Sequence, residues 1–465
     1  MASGPGTSSV SLRQALVTLR PERARVLARL ALTGIAGSIL IMVAASTVRS
    51  SWMSPPMAMP AAGPPWGLQS VHVPTGVVTG ALWLAALLGG AGVAAGLVAV
   101  RNGARPSVRG LLIAAMLAVA ALTVLPPAGS TDAFDYASYG RIVALGHSPY
   151  VMTPSYLRLA HNAFARSVPG AWDHSPSIYG PLATIVQFLA ARLGGASAAR
   201  IVFWLKLWAA GAFVLVTVVI DRLLRADPAR RLRAHLLWTI NPLLLWDLVA
   251  AGHLDVLAAA AGLLGLLVLG EEAGPARRPR LLRALAAGAL IGIAADVKIN
   301  YLLFGLGVAW ALRRAPGTLT AAGAATLGVL VPSYAWFGAP ALRALVARRN
   351  GTNPDSFYSY FFSPRWQPHF GLIATGAVIV VAVLALWRLP AGAPGRPAIR
   401  PALALSCAWL FFWPYQLPWY DAMIICVLVF FPASRLDWLV LARLPSPRSR
   451  ACPATQALRL ATSAT

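Results

Sequence analysis

Thirteen apolar runs follow one another along the chain, at about 30–48, 73–99, 110–126, 177–194, 199–220, 234–251, 255–270, 283–297, 299–312, 317–337, 370–388, 401–417 and 419–434. A helix needs about 20 apolar residues to cross a bilayer, and backbone in lipid must satisfy its own hydrogen bonds. Repeated runs of this kind leave one class: an all-α, polytopic integral membrane protein with about 12–13 transmembrane helices. The short runs 283–297, 299–312 and 419–434 are expected to tilt or to line a cavity.

Composition excludes the alternatives. Of 465 residues, 58% are hydrophobic and 11% charged. A soluble chain carries about 25% charged residues, so a water-soluble multidomain enzyme is excluded. A disordered chain needs low hydrophobicity and is excluded too. The net charge of +25 does not indicate nucleic acid, because the arginines sit in short clusters between apolar runs, as in cytoplasmic membrane loops. The three cysteines, Cys407, Cys426 and Cys452, have neither disulfide nor metal-site spacing. Leu30–Val48 is long for the apolar region of a signal peptide and reads as an uncleaved first span.

Arginine clusters give an orientation. Residues 1–29, Arg101/Arg105/Arg109, Arg222–Arg233, Arg277–Arg283, Arg313/Arg314, Arg388–Arg400 and the tail 435–465 read as cytoplasmic. Residues 30–434 then form the transmembrane domain, with large extracytoplasmic loops at 127–176 and 338–369 and turns near Gly252, Lys298 and Pro414. One conflict stands: both flanks of 177–220 fit only if that pair of runs crosses an odd number of times. Either one run fails to span or the Arg222–Arg233 linker breaks the rule.

Eight of the fourteen acidic residues (Asp132, Asp135, Asp173, Asp247, Asp255, Asp296, Asp355 and Asp421) fall in the expected outer half. Asp132 follows a span, with Tyr136 at i+4 on the same helical face and Asp135 at i+3. A carboxylate half shielded at the end of a span has the chemistry of a general base. The segment Ser130–Thr131–Asp132 also reads as a helix N-cap, and the two readings are compatible. Tyr179-Gly180-Pro181-Leu182 reads as a helix start with proline near N1, or as a segment seating the loop on a site. Asn241-Pro242 should kink its helix, and Gly252-His253-Leu254-Asp255 closes the gap between two spans, as an Asp-capped turn or as part of a site. Lys298 interrupts a long apolar stretch, and an ionisable residue at that depth is a functional candidate. It is a cation for a lipid-linked phosphate, the partner of Asp296, or a lysine snorkelling at a turn. Arg343, Arg348, Arg349 and Arg365 break the charge rule in loop 338–369 and fit an anionic ligand or anionic lipid. Trp413-Pro414-Tyr415-Gln416-Leu417-Pro418-Trp419-Tyr420-Asp421 reads as an interfacial aromatic belt or as rings that bind a sugar.

Asp-x-x-x-Tyr with Gly146-x-x-Pro149-Tyr150, Tyr-Gly-Pro-Leu, Asn-Pro-x-x-Leu, Gly-His-x-Asp, Lys298 and Leu-Pro-Trp-Tyr, in that order, resemble the GT-C glycosyltransferases. Within them the chain is most similar to the actinobacterial polyprenyl-phosphomannose-dependent α-(1→6)-mannosyltransferases, over roughly 30–434. The resemblance implies an outward-facing cavity under the outer loops and an extracytoplasmic active site in the cell membrane. It implies transfer of mannose from a polyprenyl-phosphate donor to a hydroxyl on a lipid-linked or cell-envelope mannan. Asp132 matches the family's base. Lys298 and Arg365 are expected to hold the donor phosphate, and Tyr136, Tyr179, His253, Asp255, Trp419 and Tyr420 the substrates; Asp135 is not part of the family pattern and joins the substrate candidates by its spacing from Asp132 alone. No cofactor and no metal is implied. The family's His-Asn-Asp is His253-Leu254-Asp255 here. No Asp-x-Asp motif stands in the outer loops, which agrees with a lipid-phosphate donor. A flippase for a lipid-linked sugar, or a GT-C enzyme using another sugar such as arabinose, are the rival readings. Oligomeric state is not legible.

Overall fold

The computed structural model describes residues 19–49, 57–160, 162, 164, 172–270, 277–347, 351–352, 357–390 and 396–443. It is helical apart from a two-residue strand, Val48–Arg49, paired in parallel with Leu68–His72. The helices are α1 Pro21–Thr47, α2 Thr75–Arg101, α3 Val108–Val124, α4 Asp132–Ala144, α5 Pro154–Leu159, α6 Pro181–Gly194, α7 Ala198–Leu223, α8 Pro228–Ala234, α9 Pro242–Leu244, α10 Asp255–Val268, α11 Arg277–Val297, α12 Leu302–Leu312, α13 Pro316–Phe337, α14 Ala339–Ala347, α15 Phe357–Phe361, α16 Phe370–Arg388, α17 Ile399–Phe412, α18 Asp421–Leu428 and α19 Arg435–Arg443. Proline sits in the first turn of α1, α5, α6, α8, α9 and α13, where its missing N–H costs nothing. The Ser107, Ser197, Asp227 and Asn241 side chains accept the first free N–H groups of α3, α7, α8 and α9.

Every apolar run of the sequence holds a helix, so the all-α polytopic class stands. Among the described residues, five helices are long and apolar enough to cross a membrane: α1, α2, α7, α13 and Arg365–Arg388. A sixth arises if Pro228–Ala250 and Asp255–Val268, which meet at 114°, form one broken span. The remaining apolar helices α3, α6, 299–312, α17 and 418–428 are shorter. Of the pair in 177–220, α6 is the short one: its 14 residues reach about 21 Å, below the ~30 Å of a hydrocarbon core.

Two expectations meet a different geometry. The kink at Asn241-Pro242 is there, but the run is broken more thoroughly. Wide helical turns at His235–Thr239 and Leu245–Ala250 flank α9, and Asn241 bridges the break by donating to Leu237 O and accepting from Leu243 N. Run 419–434 is not a straight crossing either. Asp421 was expected outside and the tail after Arg435 inside, yet Arg443 Nε donates to Asp421 Oδ1 at 2.8 Å and its guanidinium also reaches Gln416 Oε1 at 2.6 Å. α18 has only eight residues, so the chain turns and α19 folds back along it. At that turn Arg233 bonds Asp437 and the Phe431 carbonyl, with Arg101 beside the same carboxylate. The rest of the tail and residues 1–18 lie outside the described residues.

Small residues set the close approaches. Ser38 Oγ donates to Ala85 O where α1 crosses α2, and a Cβ at Gly92 would lie 2.9 Å from Ala31 O. α11 packs on α13 through Gly288, whose missing Cβ makes room for the Ala322 carbonyl, and Thr326 Oγ1 donates to Gly288 O. Without a hydrophobic drive between helices in lipid, such backbone proximity carries the association. Gly288→Ala should therefore separate α11 from α13 and lower stability by about 1–3 kcal/mol. Gly323→Ala on the open side of α13 should not lower it, since alanine favours helix. Thermal unfolding in detergent of the two variants checks this; equal midpoints would contradict the packing account.

Candidate functional site

Four separate stretches converge at one end of the bundle. The first is α4. Pro126 and Pro127 end α3, the chain turns at Gly129 (φ +97), and Ser130 Oγ accepts the Asp132 N–H at 3.1 Å. Gly129 needs to be glycine, because a Cβ would collide with the Trp246 indole. The Asp132 carboxylate points at His253, with Oδ2 3.7 Å from Nδ1. Burial pushes its carboxyl up to about 6; the Ser130 hydrogen bond and the Lys298 charge oppose the shift, and the Asp255 charge adds to it. One turn along, Tyr136 is buried, its OH 2.9 Å from Tyr179 OH and 3.2 Å from His253 Nδ1.

The second stretch is Tyr179–Leu182. Gly180 lies directly against the Asp296 carbonyl, and any Cβ there would collide with it. Asp296 Oδ1 accepts the Leu182 N–H at 3.2 Å, so it caps α6 from another helix. Tyr150 OH donates to the Tyr179 carbonyl at 2.9 Å and is hydrogen-bonded to Thr184. The Tyr-Gly-Pro-Leu motif is thus both a helix start and the seat of Tyr179.

The third is the turn at 251–255. Gly252 (φ +72) takes the left-handed conformation, His253 is wholly buried, and Asp255 opens α10. The fourth is Lys298 with 418–420. Lys298 Nζ is 2.6 Å from Asp255 Oδ1, 3.9 Å from the Tyr420 ring centre and 5.5 Å from that of Tyr179. The Asp296–Lys298 pair, one of the alternative readings of Lys298, does not form; Asp255 is the partner. Trp419 stacks on His253 at 3.6 Å and 15°, so it is an internal ring rather than part of an interfacial belt.

Asp132, Tyr136, Tyr179, His253, Asp255, Lys298, Trp419 and Tyr420 therefore form one contiguous cluster. Asp135 and Arg365 do not join it. Asp135 is buried, and its carboxyl is raised by burial and then by the Asp132 charge; among the described residues no hydrogen bond or ion pair links it to the cluster. Arg365 is exposed at Pro364–His369, with no bond to the cluster. Arg343 is exposed on α14, and Arg348, Arg349 and Asp355 lie outside the described residues. Among the described residues no group of three His, Cys, Asp or Glu side chains could hold a metal ion.

Sequence reading passed over two contributors. Tyr301 donates to the Asp255 carbonyl at 3.2 Å; it follows Lys298 by three residues, a spacing that marked it. Lys206 is wholly buried in α7 beside Gly252; an ionisable residue inside an apolar run was its signal. The cluster combines a carboxylate that ionises near neutrality with a cation framed by aromatic rings, so it can accept a proton and hold an anion within one apolar surround.

Comparison with known proteins gives a consistent result. Relatives include a probable alpha-(1->6)-mannopyranosyltransferase of Mycolicibacterium smegmatis, 31% identical over 37% of this chain and 30% of the relative. Another is alpha-(1->6)-mannopyranosyltransferase B of Corynebacterium glutamicum, 32% identical over 42% of this chain and 33% of the relative. A third, an alpha-(1->6)-mannopyranosyltransferase of Mycobacterium tuberculosis, is 32% identical over 32% of this chain and 25% of the relative. The matches thus span a third or less of these relatives' length. No solved structure gives a significant match. The MptA_B family model, described as alpha-(1->6)-mannopyranosyltransferase, N-terminal domain, matches residues 31–314, more than half of the chain, so the protein belongs to that family.

Proposed function

We propose that the protein is an α-(1→6)-mannosyltransferase of the cell membrane that moves mannose from a polyprenyl phosphate to a hydroxyl on a glycan or glycolipid acceptor, at the extracytoplasmic face. The observation that carries this reading is the meeting of Asp132, on α4, with Lys298, at the end of α11, around one aromatic-walled cluster, in a chain of this family. Asp132 takes the proton of the acceptor hydroxyl as its oxygen attacks the anomeric carbon. The bond from that carbon to the phosphate oxygen breaks, and polyprenyl phosphate leaves with the electron pair. Lys298 stabilises the phosphate charge. His253, held between Trp419 and the Tyr136 hydroxyl, keeps the base oriented. A carboxylate and a cation in one apolar enclosure support a reaction that moves a proton and releases an anion.

Purified protein in detergent, given radiolabelled polyprenyl-phosphate mannose and a mannan acceptor, should form labelled glycan. A nucleotide sugar should give none. Donor crossing a vesicle membrane without product would contradict the reading and indicate a transporter.

Asp132→Asn should cut the rate by about 10²–10⁴-fold, the usual worth of a positioned base, with donor binding kept. Asp135→Asn, outside the cluster, should lose about tenfold or less on that scale. A dead Asp135→Asn beside an active Asp132→Asn would reverse the assignment. In a kcat/KM pH profile the base must be ionised. The rate should therefore rise with pH through about 6, where burial places Asp132, and level off above. This acid limb should vanish from the residual rate of Asp132→Asn.

Lys298 needs a double variant. Lys298→Ala alone strands the Asp255 carboxylate, and breaking a buried pair costs about 3–5 kcal/mol. Lys298→Ala with Asp255→Asn should recover thermal stability in detergent while donor affinity stays reduced about 10- to 100-fold, matching the ~1.5–3 kcal/mol of a charged hydrogen bond. Native donor affinity in the double variant would make the pair purely structural.

A further inference from the structure

Lys206 is the buried charge that the proposed chemistry does not use. It sits in the third turn of α7, fully buried, and among the described residues it has no carboxylate partner. A lysine in such surroundings is costly unless its donors are satisfied. Its Nζ donates to the Leu125 carbonyl at 2.6 Å and lies 3.4 Å from the Pro126 carbonyl. These are the carbonyls of the first two residues beyond α3, where Leu125 is extended and Pro126 and Pro127 keep the helix from resuming, and the ammonium supplies them with a donor. Further down the side chain, Cγ lies 2.9 Å from where a Cβ of Gly252 would be. One side chain thus touches the segment that leads to Asp132 and the turn that holds His253. The two segments are also seamed directly. Ala128 N–H donates to Ala250 O at 3.4 Å, and Trp246 Nε1 donates to Ala128 O at 3.0 Å.

We propose that Lys206 is a positioning residue: by holding the two carbonyls that follow α3 and abutting Gly252, it sets the separation between the Asp132 carboxylate and the His253 ring. It touches no reacting atom. This inference rests on the mannosyl-transfer reading for its kinetic consequence, and on the geometry of 125–132 and 250–255 for its structural one.

The test compares Lys206→Met, which keeps the stem and removes the donors, with Lys206→Arg, which keeps a cation able to reach the same carbonyls. Transfer from polyprenyl-phosphate mannose should show kcat lowered about 10- to 100-fold in Lys206→Met, the scale of a misplacement near 1 Å. Donor KM should stay close to that of the natural protein, and Lys206→Arg should regain a large part of the rate. Hydrogen exchange read by mass spectrometry should be faster in 125–132 and 250–255 for Lys206→Met and not for Lys206→Arg. Native kcat in Lys206→Met, or equal losses in both variants, would overturn the proposal. If Lys206→Met does not fold, Lys206→Gln takes its place; its shorter arm should still lower kcat at unchanged KM, and a native kcat there overturns the idea. If the natural protein transfers no mannose, the functional reading falls by itself. The exchange data then decide: faster exchange confined to the two segments supports the positioning role, and unchanged exchange contradicts it.

Discussion

The arrangement depends on one ion pair, Lys298 on Asp255, with Asp255 wholly buried. Moving two charges out of water costs several kcal/mol per ion unless geometry and further contacts offset it. Here the offset is visible. The ammonium has a carboxylate at 2.6 Å and the Tyr420 ring at 3.9 Å, while the second carboxylate oxygen, Asp255 Oδ2, is buried with no hydrogen-bond partner among the described residues, so the offset is partial. The pair ties the start of α10 to the end of α11. Since Asp296, two residues before Lys298, caps α6, Tyr179 is tied to the same point. Since His253 lies two residues before Asp255, Asp132 and its ring partner are tied to it too. Four distant stretches share one polar node inside an apolar bundle.

Such a node is expensive, and that gives it meaning. An apolar replacement of the pair would pack without the desolvation cost, so stability alone gives no reason for it. The same economy governs the other buried charges. Asp221 collects Arg225, Arg231 and His235, and Arg233 chelates Asp437 at the turn between α18 and α19. These pairs join helix ends and are satisfied by arginine forks. The Lys298 node differs in being walled by tyrosine, tryptophan and histidine rings and in holding a second carboxylate, Asp132, whose Oδ2 lies 3.7 Å from His253 Nδ1. Aromatic faces with hydroxyl edges suit a sugar, and a cation suits an anion.

Much of this was legible in the sequence because membranes impose coarse rules. Each apolar run became a helix, and each charged residue inside or beside a run was a candidate on cost alone; Asp132, His253, Asp255 and Lys298 followed from that rule and do meet. Pairings were not legible. Asp296 lies nearer to Lys298 in sequence, but a helix end turns it toward α6, and the partner came from 43 residues away. Trp419 looked interfacial because tryptophan favours membrane surfaces, yet it stacks inside on His253. Arg365 was drawn in by its charge alone, and it stays exposed. Lys206 met the same cost rule and was passed over all the same, because its partners are backbone carbonyls and no second residue pointed to it. The fold-back of α19 was missed because the positive-inside rule treats a basic tail as free, whereas Arg443 has a carboxylate to reach.

The central claim is that one cluster holds the phosphate of a lipid donor beside the base. Photo-crosslinking measures this most directly, using a polyprenyl phosphate with a diazirine on the isoprene unit next to the phosphate and mass spectrometry of the labelled peptides. The account predicts adducts on peptides containing 132–136, 252–255, 298–301 and 418–421, lost in competition with unlabelled polyprenyl phosphate. Competed adducts confined to the arginine groups around Asp221 or Asp437, with none at the cluster, would contradict it.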